Sequence, residues 1–172
     1  MIVALDTMVL IWMFQEVEPN TPGLTAEIIN LQKRSKVLLS NLLDDGHELC
    51  IPTVVIAEYL CGIEPAKHGD VLIEFERWFK HRPVFDLRAC VKAAELWKEH
   101  KLLPQDERLG RRLLKLDVMV VASASVAGAV VFYSHEAKCR TLAAKAGMDP
   151  KDLPTHSHNL IVQAEIMEGK KI

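Results

Sequence analysis

Four apolar residues, Ile2-Val3-Ala4-Leu5, run without interruption into Asp6 and Thr7, and a second apolar run, Met8 to Phe14, follows at once. An unbroken apolar tetrad is the pattern of a strand buried on both faces, as in a parallel sheet covered above and below by helices. The second run reads as a short buried helix. Asp6 therefore stands where a central strand ends and a helix begins. In open α/β sheets, ligands gather at the carboxyl ends of the strands.

The length of 172 residues suits one domain with a sizeable core. We read residues 1–150 as that domain and 151–172 as a C-terminal tail. Hydrophobic residues at 49% and charged residues at 26% argue against disorder. A net charge of −2 and a pI near 6.4 lack the basic footprint of a strong nucleic-acid binder, whose pI lies above about 9. Cys50, Cys61, Cys90 and Cys139 are scattered, without C-x-x-C or zinc-finger spacing, so reduced thiols in a cytoplasmic protein are the simplest account. The N-terminal run carries Asp6 and no positive lead, which argues against a signal peptide. Val118 to Tyr133 is shorter than the ~20 residues of a membrane span and is broken by Ser123, Ser125 and Gly128.

Glu16 to Gly23 reads as a linker. A long helix follows, with Thr21 as its cap, Pro22 in its first turn and Gly46 as terminator; Leu24, Ile28, Leu31, Leu38 and Leu42 share one face. Lys33, Arg34 and Lys36 fall on the other side and read as a solvated face. Glu48 to Ile51 is a second strand, closed by Pro52. Thr53 then caps a helix from Val54 to Cys61. Another helix spans Glu64 to His81, Pro83 to Asp86 forms a short strand, and Asp86 caps a helix from Leu87 to His100. Lys101 to Leu116 is charged and irregular. Val118 to Ala127, rich in Ala and Ser, is a helix able to lie close against a sheet. Ala129 to Tyr133 is a third apolar strand, and Lys138 to Ala146 returns as a helix ending at Gly147.

Three further acids occupy unusual places. Glu58 sits among Val54, Val55, Ile56, Ala57, Tyr59, Leu60 and Cys61, where a lone carboxylate costs several kcal/mol unless it is paired, protonated or bound to metal. Asp117 opens the small-residue helix, and an N-cap is its plainest role. Glu136 follows Tyr133-Ser134-His135, repeating the order at Asp6: apolar strand, hydroxyl neighbour, carboxylate, helix. Strands alternating with helices make right-handed βαβ units and send every strand's carboxyl end to one edge. Four acids meeting there would repel one another and raise one another's pKa. A hard divalent cation removes that conflict, and oxygen-only ligation suits Mg²⁺ or Mn²⁺.

The ordered set Leu5-Asp6-Thr7, Ala57-Glu58-Tyr59-Leu60, Lys115-Leu116-Asp117 and Tyr133-Ser134-His135-Glu136 resembles the PIN-domain ribonucleases, and among them the VapC-type toxins of type II toxin–antitoxin pairs. The resemblance covers roughly Ile2 to Gly147. It implies a three-layer α/β/α fold around a parallel sheet and an endoribonuclease using Mg²⁺ or Mn²⁺. Asp6, Glu58, Asp117 and Glu136 become the catalytic and metal-binding quartet, with Thr7 and Ser134 at the hydroxyl positions beside the first and last acids. Arg111, Arg112 and Lys115 are candidates to hold the RNA backbone, since phosphate contacts supply affinity without sequence information. Such proteins are commonly homodimers silenced by a small antitoxin. The last acid is usually Asp in the family and is Glu136 here, longer by one methylene. A binding module that keeps this fold without its chemistry is the main alternative. A phosphatase using Asp6 as nucleophile is weaker, because Asp6-Thr7-Met8-Val9 lacks a second acid. His156 and His158 read as part of a polar tail.

Overall fold

A computed structural model of the protein describes residues 1–14, 25–100 and 111–154, with backbone alone at 100 and over 111–115. Among these residues the sheet has four strands, all parallel, in the order β2 (Glu48–Cys50), β1 (Ile2–Leu5), β3 (Val131–Tyr133), β4 (Asp149–Lys151). Val3, Ala4 and Leu5 are wholly buried, which explains why β1 shows no polar alternation.

The chain leaves β1 directly into α1 (Thr7–Phe14), which packs on α2 (Ala26–Asp44). Leu31, Leu38 and Leu42 of α2 are buried, as their spacing predicts. The helix is capped by Thr25, whose Oγ1 accepts from the Ile28 N–H at 3.2 Å. The expected cap at Thr21, Pro22 and the linker before them lie outside the described residues. Gly46 ends the turn with φ +70°, a conformation that costs a side-chain-bearing residue more. Arg34 is not merely solvated. Its guanidinium donates to the carbonyls of Leu153 and Pro154 at 2.7 Å each, tying α2 to the chain after β4.

After β2, Pro52 precedes α3 (Thr53–Cys61) and makes no side-chain cap; Thr53 is already helical and donates instead to the Pro83 carbonyl. The helix expected over Glu64 to His81 divides into a 3-10 turn (Pro65–Lys67) and α4 (His68–Trp78). Phe75 and Phe79 stack edge-on, with Phe14 and Tyr59 against them, joining α1, α3 and α4 through ring contacts of 5.1–6.0 Å. Pro83 to Asp86 forms no strand. The sheet is extended beside β2 only by a bridge between Cys50 and His81, beyond which Pro83 has no N–H to continue a ladder. Asp86 caps α5 (Leu87–His100), accepting from the Ala89 N–H at 2.9 Å.

α6 (Arg111–Val126) begins well before Asp117, so Asp117 lies inside the helix and is not its cap. β3, α7 (Ala137–Lys145) and β4 complete the fold. β4 has no counterpart among the expected strands. Its Asp-Pro-Lys sequence has no apolar pattern, and it sits at the sheet edge, where Pro is tolerated. From β1 the chain crosses to β2 on one side, then returns past β1 to β3 and β4 on the other. The connections leaving β1 and β3 therefore diverge, opening a crevice between their carboxyl ends. No helix among the described residues is long and apolar enough to cross a membrane. All four cysteines are free thiols.

Candidate functional site

Asp6 is the first residue past β1, and its N–H continues the ladder to the Tyr133 carbonyl at 3.0 Å. That pairing sets Ser134, the residue after β3, beside it. Ser134 is wholly buried, and its hydroxyl donates to Asp6 Oδ2 at 2.7 Å. The Thr7 N–H donates to Asp6 Oδ1 at 2.7 Å, so both carboxylate oxygens are held. Two adjacent parallel strands thus fix one carboxylate in the switch-point crevice.

Thr7, at the start of α1, reaches in another direction. Its hydroxyl donates to Glu58 Oε2 at 2.5 Å, linking the first acid's neighbour to α3. α3 is not buried on every side as its composition suggests: Ala57 and Cys61 are exposed, and Glu58 is half-buried. Glu58 lies within the helix, and so does Asp117 in α6; neither reaches the crevice from a helix start. Val118, Val120 to Ala122, Ser123 and Ala124 are all buried, and these short side chains let α6 lie close to its neighbours. α6 contacts α3, α5 and α7. Glu136 caps the start of α7 with exposed side chain, its N–H donating to Ser134 Oγ at 3.1 Å.

The electrostatics join the four acids. Burial is the main reason the Asp6 carboxyl is raised above its usual range; the bonds from Ser134 and Thr7 oppose this, while Glu58 and Glu136 add to it. Burial also pushes Asp117 up to about 7, and the charges acting on it are those of Asp6, Glu136 and Glu58. Asp117 Oδ2 is buried without a hydrogen-bond partner. Such an orphan is costly unless something occupies it. An all-oxygen donor set with one unsatisfied buried oxygen fits a hard cation such as Mg²⁺ or Mn²⁺. Yet among the described residues no group of three or more His, Cys, Asp or Glu side chains is placed so that it could hold a metal ion. The acids nonetheless act on one another electrostatically, and the Thr7 and Ser134 hydroxyls are bonded to Glu58 and Asp6.

Arg111, Arg112 and Lys115 belong to the first part of α6, and their side chains, like His156 and His158, lie outside the described residues. Three more groups stand beside the crevice: His135, which belongs to the run Tyr133-Ser134-His135-Glu136, and Arg140 and Asp152, which carry no clear signal in the sequence. His135 Nδ1 bonds Asp152 Oδ1 at 2.8 Å, and its ring stands edge-on to Trp12 at 5.6 Å. Arg140 Nη1 donates to the Ser134 carbonyl at 2.8 Å and pairs with Asp152 Oδ2 at 3.4 Å. Asp152 follows β4, where no apolar run marks a strand end.

No protein-family model matches the chain, and no curated protein matches it in sequence. Among solved structures the chain is similar to one in the crystal structure of VapBC2 from Rickettsia felis bound to a DNA fragment from their promoter. The TM-score is 0.59 at 15% identity, covering 90% of this chain and 100% of that one. At this identity the likeness shows the fold, which is three-layer α/β/α of PIN-like type around a parallel sheet.

Proposed function

We propose that the chain is a metal-dependent endoribonuclease hydrolysing RNA phosphodiester bonds, acting in the cytoplasm as a VapC-like toxin. The observation that carries this reading is the orphaned, buried Asp117 Oδ2 in the field of Asp6, Glu58 and Glu136, beside a switch-point crevice. The PIN-like fold and its similarity to a toxin–antitoxin structure support it.

In this reading Asp6, Glu58, Asp117 and Glu136 hold Mg²⁺ or Mn²⁺. The cation, when bound, supplies Lewis acidity at a phosphate oxygen and lowers the pKa of water. The chain's own residues supply orientation. Ser134 and the Thr7 N–H fix Asp6, the Thr7 hydroxyl fixes Glu58, and Asp117 offers an oxygen without a hydrogen-bond partner. Arg111, Arg112 and Lys115 hold the RNA backbone through its phosphates. A small antitoxin protein and a second copy of the chain are the partners this reading implies.

The decisive experiment is cleavage of single-stranded and structured RNA with Mg²⁺ or Mn²⁺. Wild type is expected to cut and Asp6→Asn to be inert; equal inertness under every metal tried defeats the proposal. A second reading, a binding module of the same fold without the chemistry, draws on the exposed Glu136 and the unclosed carboxylates. Calorimetry separates the two, because an inert module shows no Mn²⁺ binding that depends on Asp6.

A further inference from the structure

The carboxyl edge receives a fifth acid, and it is placed to act on the others through hydrogen bonds. β4 runs parallel to β3, so Asp152 leaves the sheet at the same edge as Ser134. The Ser134 N–H continues that ladder to the Lys151 carbonyl at 3.0 Å. Asp152 Oδ1 accepts from its neighbour, the Leu153 N–H, at 2.7 Å and bonds His135 Nδ1 at 2.8 Å. Its Oδ2 pairs with Arg140, which donates in turn to the Ser134 carbonyl. One carboxylate therefore grips the Ser134-His135-Glu136 turn at two successive residues.

We propose that Asp152 is a positioning residue for the acidic site, with Arg140 and His135 as its two arms. Ser134 holds Asp6 Oδ2 and accepts from the Glu136 N–H on a backbone fixed at its N–H by the ladder to Lys151 and at its carbonyl by Arg140. The turn meets solvent on this side, His135 and Asp152 each being 39% exposed, so the restraint acts where water would otherwise loosen it. Groups that orient metal ligands from behind are worth about 10–100-fold in metal affinity or activity when removed. The inference rests on the proposed metal site for its consequence, but the restraint itself belongs to the metal-free chain.

The test uses Asp152→Asn and Arg140→Gln in the full chain, with Asp149→Asn as control, since Asp149 pairs along its own strand with Lys151 at 2.8 Å. Amide hydrogen exchange is followed without metal, and Mn²⁺ affinity by calorimetry. Asp152→Asn and Arg140→Gln are expected to speed exchange at the Glu136 amide and to weaken Mn²⁺ binding by about 10–100-fold. The control should change neither. Unchanged Glu136 exchange in both variants overturns the positioning role, whatever the metal result. Faster exchange in a chain whose wild type shows no Asp6-dependent Mn²⁺ binding upholds the restraint and defeats the metal-site reading instead. Using two variants guards against one failing to fold.

Discussion

The Thr7 hydroxyl and the Glu58 carboxylate, from helices that follow different strands, meet at 2.5 Å beside the crevice between β1 and β3. Thr7 is buried to 9% exposure, so its hydroxyl has little water to turn to. Thr7→Val keeps the shape and removes the donor. Because hydrogen bonds to charged groups contribute about 1.5–3 kcal/mol, we expect a loss of that order or less in urea denaturation. A double-mutant cycle with Glu58→Ala, which leaves no acceptor, should recover most of it as coupling; additive losses would show that the bond contributes nothing.

Asp117 makes the metal-free protein sensitive to pH in an unusual direction. Its pKa is raised to about 7, from 3.8, chiefly by burial. Between those values the folded state binds more protons than the unfolded one, so stability falls as pH rises toward and through 7. The metal-free Tm is expected to be lower at pH 8 than at pH 5.5. Asp117→Asn should reduce that difference, leaving the share of Asp6, whose buried carboxyl is also raised and acts with the same sign; millimolar Mg²⁺ or Mn²⁺ should reduce it in wild type. Glu48, held down to about 2 first by Lys80 and then by His81, acts in a separate window below pH 5 and does not mask the effect.

The sheet centre offers a test of packing alone. Phe132 in β3 is wholly buried and registers against Ala4 of β1. Phe132→Ala deletes a large side chain opposite a small one, leaving a space the strands cannot close. A loss of about 3–5 kcal/mol is expected, read as a lower denaturation midpoint at unchanged slope. A loss below about 1 kcal/mol would show that the neighbours collapse into the gap.

The basic residues at the start of α6 make a different kind of claim. If Arg111, Arg112 and Lys115 bind phosphates, each neutral substitution should weaken RNA binding about equally for all sequences. On single-stranded RNA, the slope of log affinity against log salt should become shallower by about 0.7 for each phosphate no longer neutralised. An unchanged slope removes these residues from the interface.

How much is legible in the sequence depends on how far each signal is local. Ile2 to Leu5 declares a doubly buried strand because burial on both faces leaves an unmistakable apolar run. Gly46 and Asp86 announce a helix end and a helix start through backbone and capping chemistry. Asp6, Glu58, Asp117 and Glu136 stand out as acids in unusual places, and the structure brings them into one another's field. Their supporting bonds are not readable, since Thr7 to Glu58 and Ser134 to Asp6 join residues 51 and 128 positions apart. β4 leaves no trace in the pattern because an edge strand of Asp, Pro and Lys needs no apolar face. Arg34 reads as solvated for a related reason: its partners are carbonyls more than a hundred positions later.

The bond between Ser134 and Asp6 also has a consequence for how the protein comes into being. Asp6 is made before Ser134, and it gains this neighbour only after a further 128 residues have been added. Pairings so distant along the chain form late and slowly. A half-built molecule therefore carries its carboxylates unassembled, and any property that needs them together waits until both strands are in place.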